Sequence, residues 1–176
     1  MAQNGILKIG VVGAESTGKT WLCEALAAHY HTAWVPEYAR EYFNDSDIYN
    51  YTLSDLEVIA KTQLELETMH LKHARRFLFC DTTLITLKIW AELEFNTTPP
   101  FIAARLDTVT YDHYFLTNNQ VPWQQDPLRQ NKHSRELLFE MNEAELKRSG
   151  IPYSVITGSD AQRLSNAVAV MDARFA

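Results

Sequence analysis

The chain contains only two cysteines in 176 residues, Cys23 and Cys80. They do not form a Cys-x-x-Cys pair, so the sequence offers no support for a structural zinc site or a disulfide framework. Both fall in segments that we expect to be buried. Because buried free thiols suit a reducing compartment, we expect a cytoplasmic protein.

The sequence also lacks a basic cluster and a long apolar run. Its 16 Lys and Arg are outnumbered by 22 Asp and Glu, for a net charge of −6, which argues against a nucleic-acid partner. No run approaches the ~18 apolar residues of a membrane span, and the N-terminus lacks the basic-then-apolar order of a signal peptide. We therefore expect neither nucleic acid nor membrane as a partner. Nothing in the sequence indicates an oligomeric state.

One motif stands out against this background, directly after the apolar run 7–12. It follows the pattern G-x-x-x-x-G-K-T and comprises Gly13, Ala14, Glu15, Ser16, Thr17, Gly18, Lys19 and Thr20. The glycines let successive backbone N–H groups converge on a polyphosphate, the lysine reaches the β- and γ-phosphates, and the threonine hydroxyl can join a magnesium shell. A glycine turn without a ligand would need neither the lysine nor the threonine. The motif therefore predicts a site for a nucleoside triphosphate with Mg²⁺ and does not decide between ATP and another triphosphate.

Strand-like and helix-like patterns alternate along the chain without repeats, low-complexity tracts or an interdomain linker. This predicts one α/β domain over residues 1–176, with a five-stranded parallel sheet between helical layers. We expect strands at 7–12, 32–35, 77–80, 111–116 and 153–156, and helices at about 19–30, 37–44, 54–75, 83–95, 100–109, 134–149 and 159–173.

Local signals mark several helix ends. Ser54 with Glu57 predicts a capping box, Pro100 occupies a first helical position, and Gly150 stands where a helix ends in a left-handed residue. The seventeen-residue stretch 117–133 is irregular, and a loop of that length in a compact domain is usually functional, so we expect a lid there.

Ligands of such sheets bind at the carboxyl ends of the strands, and two acidic segments follow strands there. In Pro36–Glu41, Glu37 and Arg40 share a helical face that could hold an acceptor, although a solvated ion pair is the alternative. Asp81, after an apolar strand, has the position of a magnesium-binding Walker B acid, although it could also cap the next helix. Arg129 and Arg135 are candidates for closing over a transferring phosphoryl group, and Trp123 could either stack on a base or pack.

With these residues in place, the chain resembles the ribosylnicotinamide kinase domain of NadR-type NAD-biosynthesis proteins. The resemblance rests on the wording of 13–20, on Pro36–Glu41, on Asp81-Thr82 and on the Pro-Trp-x-x-Asp segment within 121–129. It implies a P-loop kinase-like fold and transfer of the ATP γ-phosphate to the 5′-hydroxyl of nicotinamide riboside. Pro127 departs from the small residue expected in that segment, and no segment is typical of a DNA-binding helix-turn-helix or leaves room for an adenylyltransferase domain.

Carried onto this chain, the resemblance implies catalytic roles for Lys19, Glu37, Asp81 and Arg129, and a metal site at Thr20 and Asp81. It implies acceptor binding by Glu37, Tyr38, Arg40, Trp123 and Asp126. The sequence does not decide whether Glu37 or Asp81 accepts the hydroxyl proton. A kinase for another small metabolite and an ATP-binding regulatory module remain the alternatives.

Overall fold

The computed structural model describes residues 5–44, 50–122 and 135–176. Within them lie five strands: β1 (Leu7–Gly13), β2 (Trp34–Val35), β3 (Phe77–Asp81), β4 (His113–Thr117) and β5 (Tyr153–Ile156). The helices are α1 (Lys19–Tyr30), α2 (Tyr38–Tyr42), α3 (Leu53–Leu71), α4 (Leu84–Phe95), α5 (Pro100–Leu106), α6 (Arg135–Ser149) and α7 (Asp160–Phe175).

The strands form one sheet in the order β2-β3-β1-β4-β5, and every neighbouring pair is parallel. β1 is central, with Val11 opposite Asp81 of β3 and Gly13 opposite Thr117 of β4. The carboxyl ends of β1, β3 and β4 therefore meet at one edge, where the phosphate motif leaves β1. The predicted five-stranded parallel sheet is confirmed.

Helices cover both faces of the sheet, as the alternation of side chains along each strand requires. Ile9, Val11 and Phe79 point to the face covered by α1 and α7 and pack with Leu22 and Met171. The opposite face carries Val12, Leu78, Cys80 and Leu116. These side chains pack with residues of α4 and α6: Ile85, Ile89, Leu138 and Leu146. The result is the three-layer architecture that the sequence predicted.

A third apolar cluster lies beside this sandwich and joins α2, α3, α4 and α5. Its buried members are Ala39, Phe43, Leu56, Ile59, Ala60, Leu84, Leu87, Ala91 and Ile102, with Tyr38, Tyr51 and Trp90 packed against them. This cluster holds α2 and α4 in place next to the sheet edge.

The starts of α3 and β4 differ from the predicted ones. In both places a side-chain carboxylate accepts a hydrogen bond from a backbone N–H group. The predicted Ser54–Glu57 capping box is wrong, because the N-cap of α3 is Thr52, two residues before Ser54. The Thr52 N–H donates to Asp55 Oδ2 at 2.7 Å, so Asp55 takes the role predicted for Glu57. Likewise β4 starts at His113, since the Lys8 N–H donates to the Asp112 carboxylate at 2.8 Å rather than to a backbone carbonyl.

Other end signals are confirmed. Pro100 opens α5, and Gly150 adopts a left-handed φ of 68° directly after α6. Cys23 and Cys80 are both buried and free. Across the described ranges, none of the helices combines the length and apolar character needed to cross a membrane.

Candidate functional site

The phosphate motif forms a tight loop between β1 and α1. Gly13 has φ 143°, and a Cβ there would lie 2.3 Å from Thr117 Oγ1, so both the backbone angle and the contact require glycine. Gly18 is the N-cap of α1 with φ 76°, and Ser16 also has a positive φ, 56°. The loop is therefore held in a backbone shape that ordinary residues avoid, which turns its N–H groups toward a common point.

All eight motif residues line one cavity of about 410 Å³ at the sheet edge. Lys19 Nζ donates to the backbone carbonyls of Gly13 at 3.2 Å and Ala14 at 2.9 Å. Its ammonium is thus held above its own loop, within the same cavity. A phosphate seated on the loop would meet both this charge and the N-terminal end of α1.

Thr20 and Asp81 are joined across the neighbouring ends of β1 and β3. Thr20 Oγ1 donates to Asp81 Oδ2 at 2.5 Å, and the Asp81 side chain is fully buried. Burial raises the pKa of Asp81 to about 6; the charge of Glu37 also raises it, while Lys19, the Thr20 hydrogen bond and Arg40 lower it. Asp81 Oδ1 is buried without a hydrogen-bond partner in the described part of the chain. A buried carboxylate with one unused oxygen is a group that a bound cation would satisfy.

These two side chains fit a magnesium ion of the kind that accompanies triphosphates. The described residues contain no group of three or more His, Cys, Asp or Glu that could hold a metal by themselves. Magnesium does not need one, since it keeps several waters and takes oxygens from phosphates in addition to one or two protein ligands. Thr20 Oγ1 and Asp81 Oδ1 are suitable protein ligands in such a shell.

Glu37 and Arg40 line the same cavity from the β2 side. Glu37 is the N-cap of α2, and its carboxylate forms an ion pair with Arg40, with Oε2 3.1 Å from Nε. The buried Gln63 of α3 fixes this turn, because its side chain donates to the Pro36 carbonyl at 3.1 Å and accepts from the Tyr38 N–H at 2.8 Å. The ion pair that the sequence analysis gave as the alternative to an acceptor site is therefore present, and both of its residues line the cavity beside the phosphate loop.

The other predicted site residues have different places. Tyr38 is outside the cavity lining and packs its ring against Tyr42, with centroids 6.2 Å apart. Trp123, Asp126 and Arg129 lie outside the described residues, as does most of the predicted lid at 117–133, so these assignments stay predictions. Arg135 is described: its guanidinium donates to the carbonyls of Ser16 at 3.3 Å and Val121 at 2.9 Å, which places a cation against the phosphate loop.

Residues of α4 and α6 form another wall of the same cavity. Thr86, Ile89, Trp90, Leu93, Glu94, Leu138 and Asn142 line it. The Trp90 indole is fixed by its Nε1–H, which donates to Tyr51 OH at 2.6 Å. The sequence motifs did not identify this wall. The sequence pattern that could have indicated this wall is the spacing of Thr86, Trp90 and Leu93 along α4. The same spacing is equally typical of a helix face that packs into the core.

Arg163 is a buried residue of this site that the sequence reasoning missed. Its guanidinium is 1% exposed and donates to the carbonyl of Thr17, to Gly158 O at 3.2 Å and to Asn118 Oδ1 at 2.7 Å. Burial lowers the pKa of Arg163. One side chain thus ties the phosphate loop to the ends of β4 and β5. The sequence held a signal for it, because Arg163 precedes the buried Ala167 and Met171 at spacings of four and eight.

We expect Arg163→Met to weaken ATP binding by about tenfold to a hundredfold, because the Thr17 carbonyl and the Asn118 oxygen lose their donor and the loop loses its tether. Arg163→Lys should recover part of the loss, since one ammonium can reach fewer acceptors than a guanidinium. ATP titration by calorimetry, with thermal unfolding measured in parallel, checks both variants.

Arg174→Met is the matched control, because Arg174 is an exposed arginine near the other end of α7. It should leave ATP affinity unchanged. Equal ATP affinity in the wild type and Arg163→Met would contradict the tethering role.

A family model described as "AAA domain" matches residues 8–163 of the chain. The chain is also 29% identical over 144 residues to the trifunctional NAD biosynthesis/regulator protein NadR of Escherichia coli strain K12. That alignment covers 77% of this chain and 35% of the E. coli protein, so the chain spans about a third of the length of this relative.

Two solved structures share the fold. The crystal structure of NadR protein in complex with NR superposes with a TM-score of 0.78 at 20% identity, covering 96% of this chain and 51% of that chain. The crystal structure of NadR protein in complex with NAD and AMP-PNP gives a TM-score of 0.79 at 19% identity, covering 96% and 49%. At these identities the similarity establishes the fold.

Proposed function

The chain belongs to the AAA domain family, and on that premise we propose that it is a nicotinamide riboside kinase. It transfers the γ-phosphoryl group of ATP to the 5′-hydroxyl of nicotinamide riboside and yields nicotinamide mononucleotide and ADP. An AAA domain by itself does not specify a reaction, so the proposal depends on the site and on the relatives. The E. coli relative is named for NAD biosynthesis, and the solved NadR structures hold NR in one case and NAD with AMP-PNP in the other.

One observation carries the proposal: a single cavity joins the phosphate loop to Glu37 and Arg40. A module that only binds or hydrolyses ATP needs no charged groups arranged for a second substrate. Here a carboxylate and a guanidinium line the same cavity as Lys19, on the β2 side, where an acceptor hydroxyl could approach the γ-phosphate.

The residues at the triphosphate side of the cavity have separate roles in the proposed transfer. The loop N–H groups and Lys19 hold the β- and γ-phosphates and stabilise the negative charge of the transition state. Thr20 and Asp81 would hold Mg²⁺, which supplies charge neutralisation on the phosphate oxygens when bound. Arg135, held against Ser16, adds a second positive charge near the loop.

We assign the proton acceptor to Glu37 rather than to Asp81. Asp81 is fully buried and is not part of the cavity lining; its Oδ2 accepts from Thr20, and its Oδ1 is the oxygen that would hold Mg²⁺. Glu37 lines the cavity and remains 18% exposed while paired with Arg40. In this role Glu37 accepts the 5′-hydroxyl proton, and Arg40 orients the carboxylate.

The proposal is tested by incubating the protein with Mg-ATP and a panel of nicotinamide riboside, adenosine, thymidine and uridine. We expect ADP release that depends on nicotinamide riboside, with nicotinamide mononucleotide identified by mass spectrometry. Glu37→Gln should lower kcat by roughly a hundredfold with little change in the affinity for ATP, because it removes the base and keeps the shape.

Glu41→Gln is the control for this variant, since Glu41 is an exposed acid on the same helix and is not part of the cavity lining. ADP release that is the same with and without every acceptor would reject the kinase. Transfer to another nucleoside with none to nicotinamide riboside would keep the reaction and replace the acceptor.

A further inference from the structure

The wall of the cavity formed by α4 has an aromatic surface held in a fixed orientation. Trp90 lines the cavity, and its indole is tied to Tyr51 by the 2.6 Å hydrogen bond from Nε1. The Tyr51 ring meets it edge-on at a centroid distance of 5.4 Å, and the buried Phe43 ring packs at 5.9 Å. The indole is therefore supported from behind by two rings and by a hydrogen bond. It presents apolar ring surface to the cavity without needing a ligand to order it.

Acidic side chains outnumber basic ones in the described lining of this cavity. Five carboxylates line the described cavity, from Glu15, Glu24, Glu37, Glu94 and Asp160, against the cations Lys19 and Arg40. Glu94 is one residue position from the exposed Leu93 on the same helix as Trp90. Burial raises the pKa of Tyr51, and the carboxylates of Glu94 and Glu15 raise it further against the opposing effect of the Trp90 hydrogen bond.

Two buried oxygens lie in the same wall. Thr86 Oγ1, one helical turn before Trp90, has no hydrogen-bond partner among the described residues, and neither does Asn142 Oδ1 on α6. Asn142 is 1% exposed, and its Nδ2 is already used, donating to Leu138 O at 2.7 Å. Both side chains line the cavity. A buried acceptor without a donor favours a ligand that brings an N–H group.

Building on the proposed function, we propose that this Trp90 wall binds the ring of the acceptor and selects a cationic aromatic ring over a neutral ring of similar size. The indole face and the Glu94 carboxylate attract the positive charge. Thr86 and Asn142 accept hydrogen bonds from an amide on the ring. The pyridinium ring and carboxamide of nicotinamide riboside combine both features, whereas the pyrimidine and purine nucleosides lack the charge.

The test compares nicotinamide riboside with 1,4-dihydronicotinamide riboside, which keeps the ribose and the carboxamide but has a neutral ring. We expect the wild type to prefer the cationic form by about tenfold in kcat/KM, mainly through KM, which is the size of one partly desolvated cation–π contact. Nicotinic acid riboside, with a carboxylate in place of the amide, should be the poorest of the three, because it brings an anion and no N–H donor to this wall.

Variants separate ring charge from ring shape, since reduction also removes aromaticity. Glu94→Gln should cut the preference for the cation to about threefold, which corresponds to the loss of one exposed charge contact. Trp90→Leu should abolish it, and Trp90→Phe should retain most of it by keeping a ring at the same place. Glu140→Gln removes an exposed acid outside the cavity and should leave the preference unchanged.

The outcomes distinguish this inference from the function on which it rests. A wild type that phosphorylates neither form of the riboside overturns the proposed function. A wild type that phosphorylates both forms with equal kcat/KM keeps the kinase and overturns the charge-selective wall, as does an unchanged preference in both Glu94→Gln and Trp90→Leu. If Trp90→Leu fails to fold, Glu94→Gln decides: a preference reduced to about threefold supports the wall, and an unchanged preference overturns it.

Discussion

Lys19→Ala is expected to lower kcat/KM for phosphoryl transfer by at least about a hundredfold to a thousandfold while the fold remains intact. The ammonium lies over the phosphate loop, 2.9 Å from the Ala14 carbonyl oxygen, where it is placed to contact the γ-phosphate of a bound triphosphate. Removing it takes away charge stabilisation at the point where negative charge develops. Stability should change little, because its two hydrogen bonds go to loop carbonyls at the cavity rather than into the core.

The measurement is steady-state kinetics with Mg-ATP and the identified acceptor, together with thermal unfolding of each variant. Lys19→Met keeps the aliphatic stem and should lose as much activity as alanine, which separates charge from packing. Lys72→Ala removes an exposed lysine beyond the end of α3 and should behave as the wild type. Retained transfer in Lys19→Ala and Lys19→Met would mean that the loop is not the phosphate site.

Much of the fold was predictable because its signals are local. The boundaries of α1 and β5 match the predicted ones, and each predicted strand and helix has a counterpart in the structure. Apolar runs of buried type and turn residues mark these segments without any knowledge of their neighbours. The capping box was misplaced by two residues because Thr52 and Ser54 both fit an N-cap pattern. An N-cap residue has an extended backbone, and the sequence does not show which of the two adopts it.

The site was predictable where a motif dictates geometry and not where tertiary packing does. The phosphate loop and the Thr20–Asp81 contact follow from a motif and from the meeting of parallel strand ends. Arg163 bonds to Thr17, Gln63 to Pro36 and Trp90 to Tyr51, and these pairs are separated by 146, 27 and 39 residues in sequence. Burial of an arginine or a glutamine becomes recognisable only when the groups that satisfy it are in place.

The second large effect is a gain of stability combined with a loss of activity in Asp81→Asn. The carboxylate is fully buried, and burial together with Glu37 raises its pKa to about 6, which means that the folded chain disfavours its charged form. Asparagine keeps an oxygen that can accept from Thr20 and carries no charge. We expect the variant to lose roughly a hundredfold or more in kcat/KM, because the oxygen that would hold Mg²⁺ loses its negative charge. We expect its unliganded fold to be more stable near neutral pH.

The sign of the pH dependence follows from the two pKa values. In the unfolded chain Asp81 titrates near 3.8, and in the folded chain near 6. Below the lower pKa, Asp81 is protonated in both states and does not change the free energy of unfolding. As pH rises through this window the folded state retains the proton longer, so the free energy of unfolding falls and then levels off above the folded pKa. A shift of about two units corresponds to at most roughly 3 kcal/mol.

This prediction is tested by urea titration of the wild type and Asp81→Asn between about pH 4 and pH 8, which gives the free energy of unfolding of each protein. The difference between the two proteins should grow between about pH 4 and pH 6 and stay constant above about pH 7. Asp107→Asn, a change at an exposed carboxylate after α5, should give no such trend. Mg-ATP should narrow the difference, because a bound cation stabilises the charged carboxylate of the wild type and has less to bind in the variant. An Asp81→Asn protein that is less stable than the wild type at neutral pH would show that the carboxylate is a structural anchor, and the metal site would then have to be sought elsewhere along the loop.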